Sequence, residues 1–283
     1  MLDLRVEATE LTIATFAAAQ VLRVVPRVRL SQAVGRLCDA RVPAPLSRLA
    51  ASLYSRAYGV NLEEAAARDR PYASFDEFFT RALRGGVRPI ADSSIVSPAD
   101  GRLEQVGPVT PGGQISVKGS PYRVGELIGD EQEARRYEGG SFAVVYLSPG
   151  DYHRVHSPVA GRLVLVRSLP GDLFPVNSIG ERHIPNLFVR NQRVALVIDT
   201  AHIGRVTLVM VGAIIVGRIT VTALGGADTR PGVYPIEPAA SVGVGDEVGV
   251  FHLGSTAVLF VEPGTPLGRD LGPIRYGQAL SSR

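Results

Sequence analysis

Val194-Ala195-Leu196-Val197-Ile198-Asp199 and, after a turn, Val206-Thr207-Leu208-Val209-Met210-Val211 are the two runs on which the fold turns. Both are rich in β-branched residues and set off by turn-forming sequence, which reads as a pair of strands. Similar runs recur at Phe142–Leu147, Arg162–Arg167, Ile214–Val221 and Thr256–Val261. Glycines crowd the connections, at Gly112-Gly113, Gly139-Gly140, Gly225-Gly226 and then Gly243, Gly245 and Gly249. Short strands joined this way predict a mainly antiparallel sandwich or barrel-like core over residues 89–283.

Residues 1–88 have a different texture. Leu11, Ala14, Ala18, Val21, Leu22 and Val25 recur at helical spacing until Pro26 breaks the run. Ser31 is placed to cap a second helix bearing Val34, Leu37 and Cys38. A third helix gathers Leu46, Leu49, Ala50, Leu53, Tyr54 and Ala57 on one face, with Arg48 and Arg56 elsewhere. Ser74-Phe75-Asp76-Glu77 has the form of a capping box opening a helix through Phe78, Phe79 and Leu83. Helices followed by strands make the class α+β. The apolar helix faces have two possible destinations: the β core behind them, or a membrane interface.

Composition narrows the partners. At 45% apolar and 20% charged residues the chain is an ordinary globular one, which excludes wholesale disorder. The net charge of +3 is unevenly spread. From Val21 to Val60, Arg23, Arg27, Arg29, Arg36, Arg41, Arg48 and Arg56 face a single acid, Asp39, and such a stretch seeks phospholipid headgroups or nucleic acid. Lys118 is the only lysine, and the single cysteine, Cys38, excludes an internal disulfide framework. No run reaches the roughly 18–20 uncharged apolar residues that span a bilayer, so the chain is expected to lie on a membrane at most.

Four stretches carry polar groups suited to chemistry. Ser97-Pro98-Ala99-Asp100-Gly101 places an acid in a proline-led turn, as many turns do. Ser148-Pro149-Gly150-Asp151-Tyr152-His153-Arg154-Val155-His156 holds two histidines three apart. On a helix they could grip one metal, but the flanking prolines favour extended chain, where they face opposite ways. Separate roles follow, and no metal. Gly171–Asn177 and Pro185–Asn191 combine aromatics with amides, as packed loops also do. Finally, Val250-Phe251-His252-Leu253-Gly254-Ser255-Thr256 sets a serine behind a glycine, whose backbone freedom suits a strained peptide.

The order Pro98-Ala99-Asp100-Gly101, Asp151-Tyr152-His153-Arg154-Val155-His156, Pro185-Asn186-Leu187-Phe188, Gly249-Val250-Phe251 and Gly254-Ser255-Thr256 resembles the phosphatidylserine decarboxylases of bacterial membranes. The resemblance takes in Phe75–Phe79, Arg84–Pro89 and Val117-Lys118-Gly119, and covers most of the chain from about Tyr72 to Thr256. It implies cleavage between Gly254 and Ser255 into a long chain, 1–254, and a short one, 255–283, with Ser255 becoming a pyruvoyl cofactor. It also implies His156 as the base that activates Ser255, Asp100 as the group orienting that base, and His153 as the acid of decarboxylation. Lys118, Phe174 and Asn177 are expected on the substrate side. Phosphatidylserine would be the substrate and a homodimer the assembly. An anionic membrane on the cytoplasmic face, rather than nucleic acid, would be the partner of residues 1–88.

Three other readings remain open on the residues alone. A pyruvoyl decarboxylase of a soluble amino acid would use the same groups. A serine hydrolase could use Asp100, His156 and Ser255 without cleavage, though no Gly-x-Ser-x-Gly elbow surrounds Ser255. A β-rich binding module on a helical arm would keep its chain intact.

Overall fold

The computed structural model describes residues 27–176, 183–213, 218–252 and 255–281; of Ser255 it describes the backbone. The helix expected before Pro26 lies outside these residues. Helix α1 (Arg27–Asp39) starts a turn earlier than expected, so Ser31 is buried inside it and does not cap it. Helix α2 (Ala44–Tyr58) begins behind Pro43 and ends on Gly59 in the left-handed region. Helix α3 (Phe75–Phe79) is capped by Ser74, whose Oγ accepts from Glu77 N–H at 3.2 Å. It stops well before Leu83, with Thr80 at its C-cap, whose N–H and hydroxyl both bond the Asp76 carbonyl.

All the expected apolar runs but Ile214–Val221 lie in an open, antiparallel eight-stranded sheet; of that run, 214–217 are outside the described residues and Arg218–Val221 joins a smaller sheet. The strands of the large sheet are β1 (Gly101–Pro108), β4 (Ser141–Leu147), β6 (Gly161–Leu169), β7 (Arg193–Asp199), β8 (Arg205–Val211), β10 (Gly232–Val242), β12 (Ser255–Val261) and β13 (Gly272–Ile274). They lie in the order β10-β6-β7-β8-β12-β4-β1-β13. The sheet does not close into a barrel. Its central strands are buried on both faces, which is why they are continuously apolar rather than alternating.

Each face of that sheet supports its own core. Val194, Leu196, Ile198, Leu208, Met210 and Leu259 point to one side, onto a three-stranded sheet ordered β5-β11-β9. These are β5 (Arg154–His156), β9 (Arg218–Val221) and β11 (Glu247–His252). Ala195, Val209, Val211, Val258 and Phe260 point to the other side. There they meet the hairpin of β2 (Gln114–Val117) and β3 (Ser120–Arg123), and the short helices α4 (Val124–Ile128), α5 (Glu131–Ala134) and α6 (Leu187–Arg190). Strands β11 and β12 thus belong to different sheets, separated in sequence by residues 253–254 alone.

Helix α2 docks through aromatic groups. The Tyr54 ring lies 5.1–6.3 Å from those of Phe75, Phe78 and Phe79, and its hydroxyl donates to Pro149 at 3.0 Å. Its leucine face turns the other way: Leu46, Leu49 and Leu53 are 52%, 55% and 56% exposed. The β core therefore does not claim that face.

Gly101 joins the Asp100 turn to β1 with φ of 150°, and a Cβ there would sit 2.1 Å from the Tyr146 carbonyl oxygen on the paired strand. Gly101→Ala is expected to cost at least about 2 kcal/mol, because backbone on the clashing side cannot yield. A lowered urea midpoint would show it.

Candidate active site

The loop between β4 and β5 is bracketed by backbone from either side of residues 253–254. Leu147, the last residue of β4, is the register partner of Ser255. A few residues on, the His153 carbonyl accepts the Phe251 N–H at 3.0 Å. Within the loop, Ser148 N–H donates to the Asp151 carboxylate at 2.6 Å. The chain therefore brings His153 close to the backbone that leads into the Gly254-Ser255 pair, while His156, on β5, is the register partner of Glu247 on β11.

His153 is wholly buried. Its Nδ1 is 2.9 Å from the Asp151 carbonyl, which can only accept, so Nδ1 carries the proton and Nε2 keeps its lone pair. That Nε2 has no hydrogen-bond partner among the described residues. The ring lies 4.1 Å from Phe79. Burial pushes its pKa down to about 3; the Arg81 charge acts the same way and the bond to Asp151 opposes both. Arg81 is itself buried, with its Nε unpartnered among the described residues.

His156 has the same form in different surroundings. Its Nδ1 is 2.7 Å from the Gly245 carbonyl and its Nε2 is 3.1 Å from the Tyr152 hydroxyl. Tyr276 stacks on the ring at 3.8 Å, nearly parallel. Burial lowers its pKa, while the Gly245 carbonyl, Glu247 and Asp100 pull it back. A neutral imidazole with an Nε2 lone pair is equipped as a base. The two histidines thus face different neighbours, Phe79 and Tyr276, as extended chain requires.

Asp100 reaches His156 indirectly. Its carboxylate accepts from Arg88 Nε at 3.0 and 3.2 Å and from Nη2 at 2.6 Å, and from Tyr276 N–H at 2.9 Å. Tyr276 is the residue whose ring covers His156. The carboxylate fixes that backbone, and the orienting bond on the imidazole comes from Gly245. Asp100, Tyr152, Arg81, Arg88, Asp151 and Arg275 also line a cavity of about 370 Å³.

The remaining expected residues are placed as follows. Lys118, at φ 49° in the β2–β3 turn, pairs with Glu104 at 2.8 Å. Phe174 is fully buried under Arg190, and its backbone is held by Asn191 at 2.8 and 2.9 Å. Asn177, Gly254 and the Ser255 side chain lie outside the described residues. Tyr152 and Arg88 stood inside the quoted motifs, and Gly245 among the connecting glycines, without a role. Tyr276 carried no sequence signal at all.

Both histidines are buried neutral, so the unfolded chain binds protons that the folded one refuses. The His153 contribution to stability is complete above pH ~6.5 and is lost as pH falls toward about 3, at up to about 1.4 kcal/mol per pH unit, and that of His156 is lost in the same direction. The urea midpoint is expected to drop between pH 7 and pH 5, and His153→Leu to shrink that drop.

Comparison with known proteins gives the family. A family model for phosphatidylserine decarboxylase matches residues 75–282. The chain is 41% identical over 271 residues to the phosphatidylserine decarboxylase proenzyme of Delftia acidovorans, covering 92% of this chain and 95% of that one. It is 40% identical over 273 residues to the proenzyme of an Anaeromyxobacter species, with the same coverage, and 39% identical over 281 residues to that of Bordetella avium, with 94% of each covered. The chain is an enzyme of the phosphatidylserine decarboxylase family.

Proposed function

We propose that this decarboxylase acts on phosphatidylserine, giving phosphatidylethanolamine, after cutting itself between Gly254 and Ser255. The observation that carries the reading is the pair of buried histidines, each with Nδ1–H given to a backbone carbonyl, at the end of a loop anchored at the register partner of Ser255 and in the strand that follows it. The relatives' designation as proenzymes is consistent with processing.

In the cleavage, His156 Nε2 takes the Ser255 hydroxyl proton and the oxygen attacks the Gly254 carbonyl carbon. The C–N bond breaks as the C–O bond forms, turning the peptide into an ester with a free Ser255 amine. Loss of the Ser255 α-proton expels the Gly254 carboxylate and leaves a dehydroalanine. Water then hydrolyses that residue to a pyruvoyl group and ammonia. The orphaned, buried Nε2 of His153 fits such a group at the start of β12. The pyruvoyl group would supply an electron sink for the electrons left when carbon dioxide departs. His153 would hold a proton at Nε2 and deliver it to the substrate carbon. Burial disfavours that proton in the resting site, so a developing negative charge beside the ring would have to draw it in.

The exposed leucine face of α2 supports docking on a bilayer. Leu46, Leu49 and Leu53 are flanked by exposed Arg48 and Arg56, and Leu37 on α1 is 74% exposed. Apolar side chains would enter the acyl boundary while guanidinium groups meet lipid phosphates. No described helix is long and apolar enough to cross a membrane. Because Tyr54 of α2 bonds to Pro149 of the histidine loop, the same helix would bring the loop to the headgroup plane.

Wild-type protein is expected to give two fragments, the shorter without a free serine amine, by intact-mass measurement, and Ser255→Ala to remain one inactive chain. His153→Ala should still cleave but lose about 10²–10⁴-fold in decarboxylation; cleavage lost there and kept in His156→Ala would reverse the two roles. Replacing Leu46, Leu49 and Leu53 together by Gln should weaken binding to anionic vesicles at least tenfold, since each buried leucine is worth about 1.5–3 kcal/mol. Undiminished binding would remove α2 from the membrane contact.

A further inference from the structure

His252 closes β11, three residues before Ser255, and its ring is held from the helical segment. Its Nδ1 lies 2.8 and 3.0 Å from the two carboxylate oxygens of Asp76 in α3. Arg218 Nη2 is 3.0 Å from the same Nδ1, and the Thr220 hydroxyl is 3.3 Å from Nε2. Arg218, the register partner of His252 on β9, joins the same group. Its Nη2 is 3.2 Å from Asp76 and 2.9 Å from Asp39, and its Nη1 bonds the second oxygen of Asp39. Asp39 ends α1. The cluster thus ties both α1 and α3 to the last residue of β11.

That residue needs such support. Strand β5 pairs with β11 only as far as Val250, so His252 has β9 alone as its strand neighbour. With His252 and Asp76 side chains each 15% exposed, the contact is shielded enough to matter more than a surface pair.

We propose that Asp76, Arg218 and His252 are positioning residues for the self-cleavage, and that through Asp39 and Asp76 they make processing depend on the helical segment being docked. The inference rests on the cleavage reading above. A carbonyl and a hydroxyl must meet within a few tenths of an ångström, and β11 delivers the carbonyl side. Loosening its end would slow the acyl shift without touching any group that reacts.

The test is the rate at which the full-length chain converts to two fragments after synthesis, followed on denaturing gels. Asp76→Asn and His252→Leu are expected to slow conversion on the order of tenfold to a hundredfold. His252→Asn, which keeps a hydrogen-bonding group near the Nδ1 position, should restore most of the rate, a rescue that loss of ring packing alone would not give. Asp39→Asn, at an exposed position, serves if the buried variants fold poorly, and should slow conversion several-fold with an unchanged urea midpoint. Conversion at the wild-type rate in Asp39→Asn, or slowing in Asp76→Asn and His252→Leu that merely follows a lost midpoint and is not rescued by His252→Asn, overturns the inference. If the wild-type chain itself never converts, the cleavage reading fails instead.

Discussion

A charge taken out of water must be compensated, and the guanidinium of Arg88, only 8% exposed, is met by two carboxylates. Asp100 takes its Nε and Nη2, and Glu64 takes Nη2 at 2.6 Å. Glu64 comes from the segment after α2, Asp100 from the turn before β1, and the remaining capacity of Asp100 goes to the Tyr276 backbone near the C-terminus. One buried ion group therefore pins three distant parts of the chain together. Removing one partner of such a group typically costs about 3–5 kcal/mol, because the other charge stays buried. The stacking of Tyr276 on His156, and through it the pose of the base, depends on this group.

The sequence was readable where burial was uniform. Strands β7, β8 and β12 show as apolar runs because both of their faces are covered. Strand β10 does not show, since it is an edge strand carrying Pro235 and Pro238, with a register shift where pairing lapses. Strands β1 and β5 are hidden for other reasons: one is half-exposed and polar, the other three residues long. Periodicity found the leucine face of α2 but could not tell which way it points. That depends on Tyr54 and three phenylalanines from another helix.

For the site, no single stretch picked out Asp100, His153 and His156, since acids and histidines are common in turns; the order of the motifs, which resembles that of a family, did. What holds them was not readable. The groups that orient both rings are backbone carbonyls, of Asp151 and Gly245, and any residue carries one. Tyr276 reaches His156 only because β13 pairs with β1, a pairing set by the whole sheet. Side-chain chemistry is written locally, whereas its alignment is written in the topology.

The place of β12 within the sheet has one more consequence. It runs between β4 and β8, bonded along its length on both sides, and its apolar residues enter both cores. A break in front of Ser255 would leave that ladder intact on each edge. The smaller piece could leave only by dismantling the centre of the sheet, so the nicked molecule would travel as a single particle through any native column. The severed bond would be invisible until a denaturant was added.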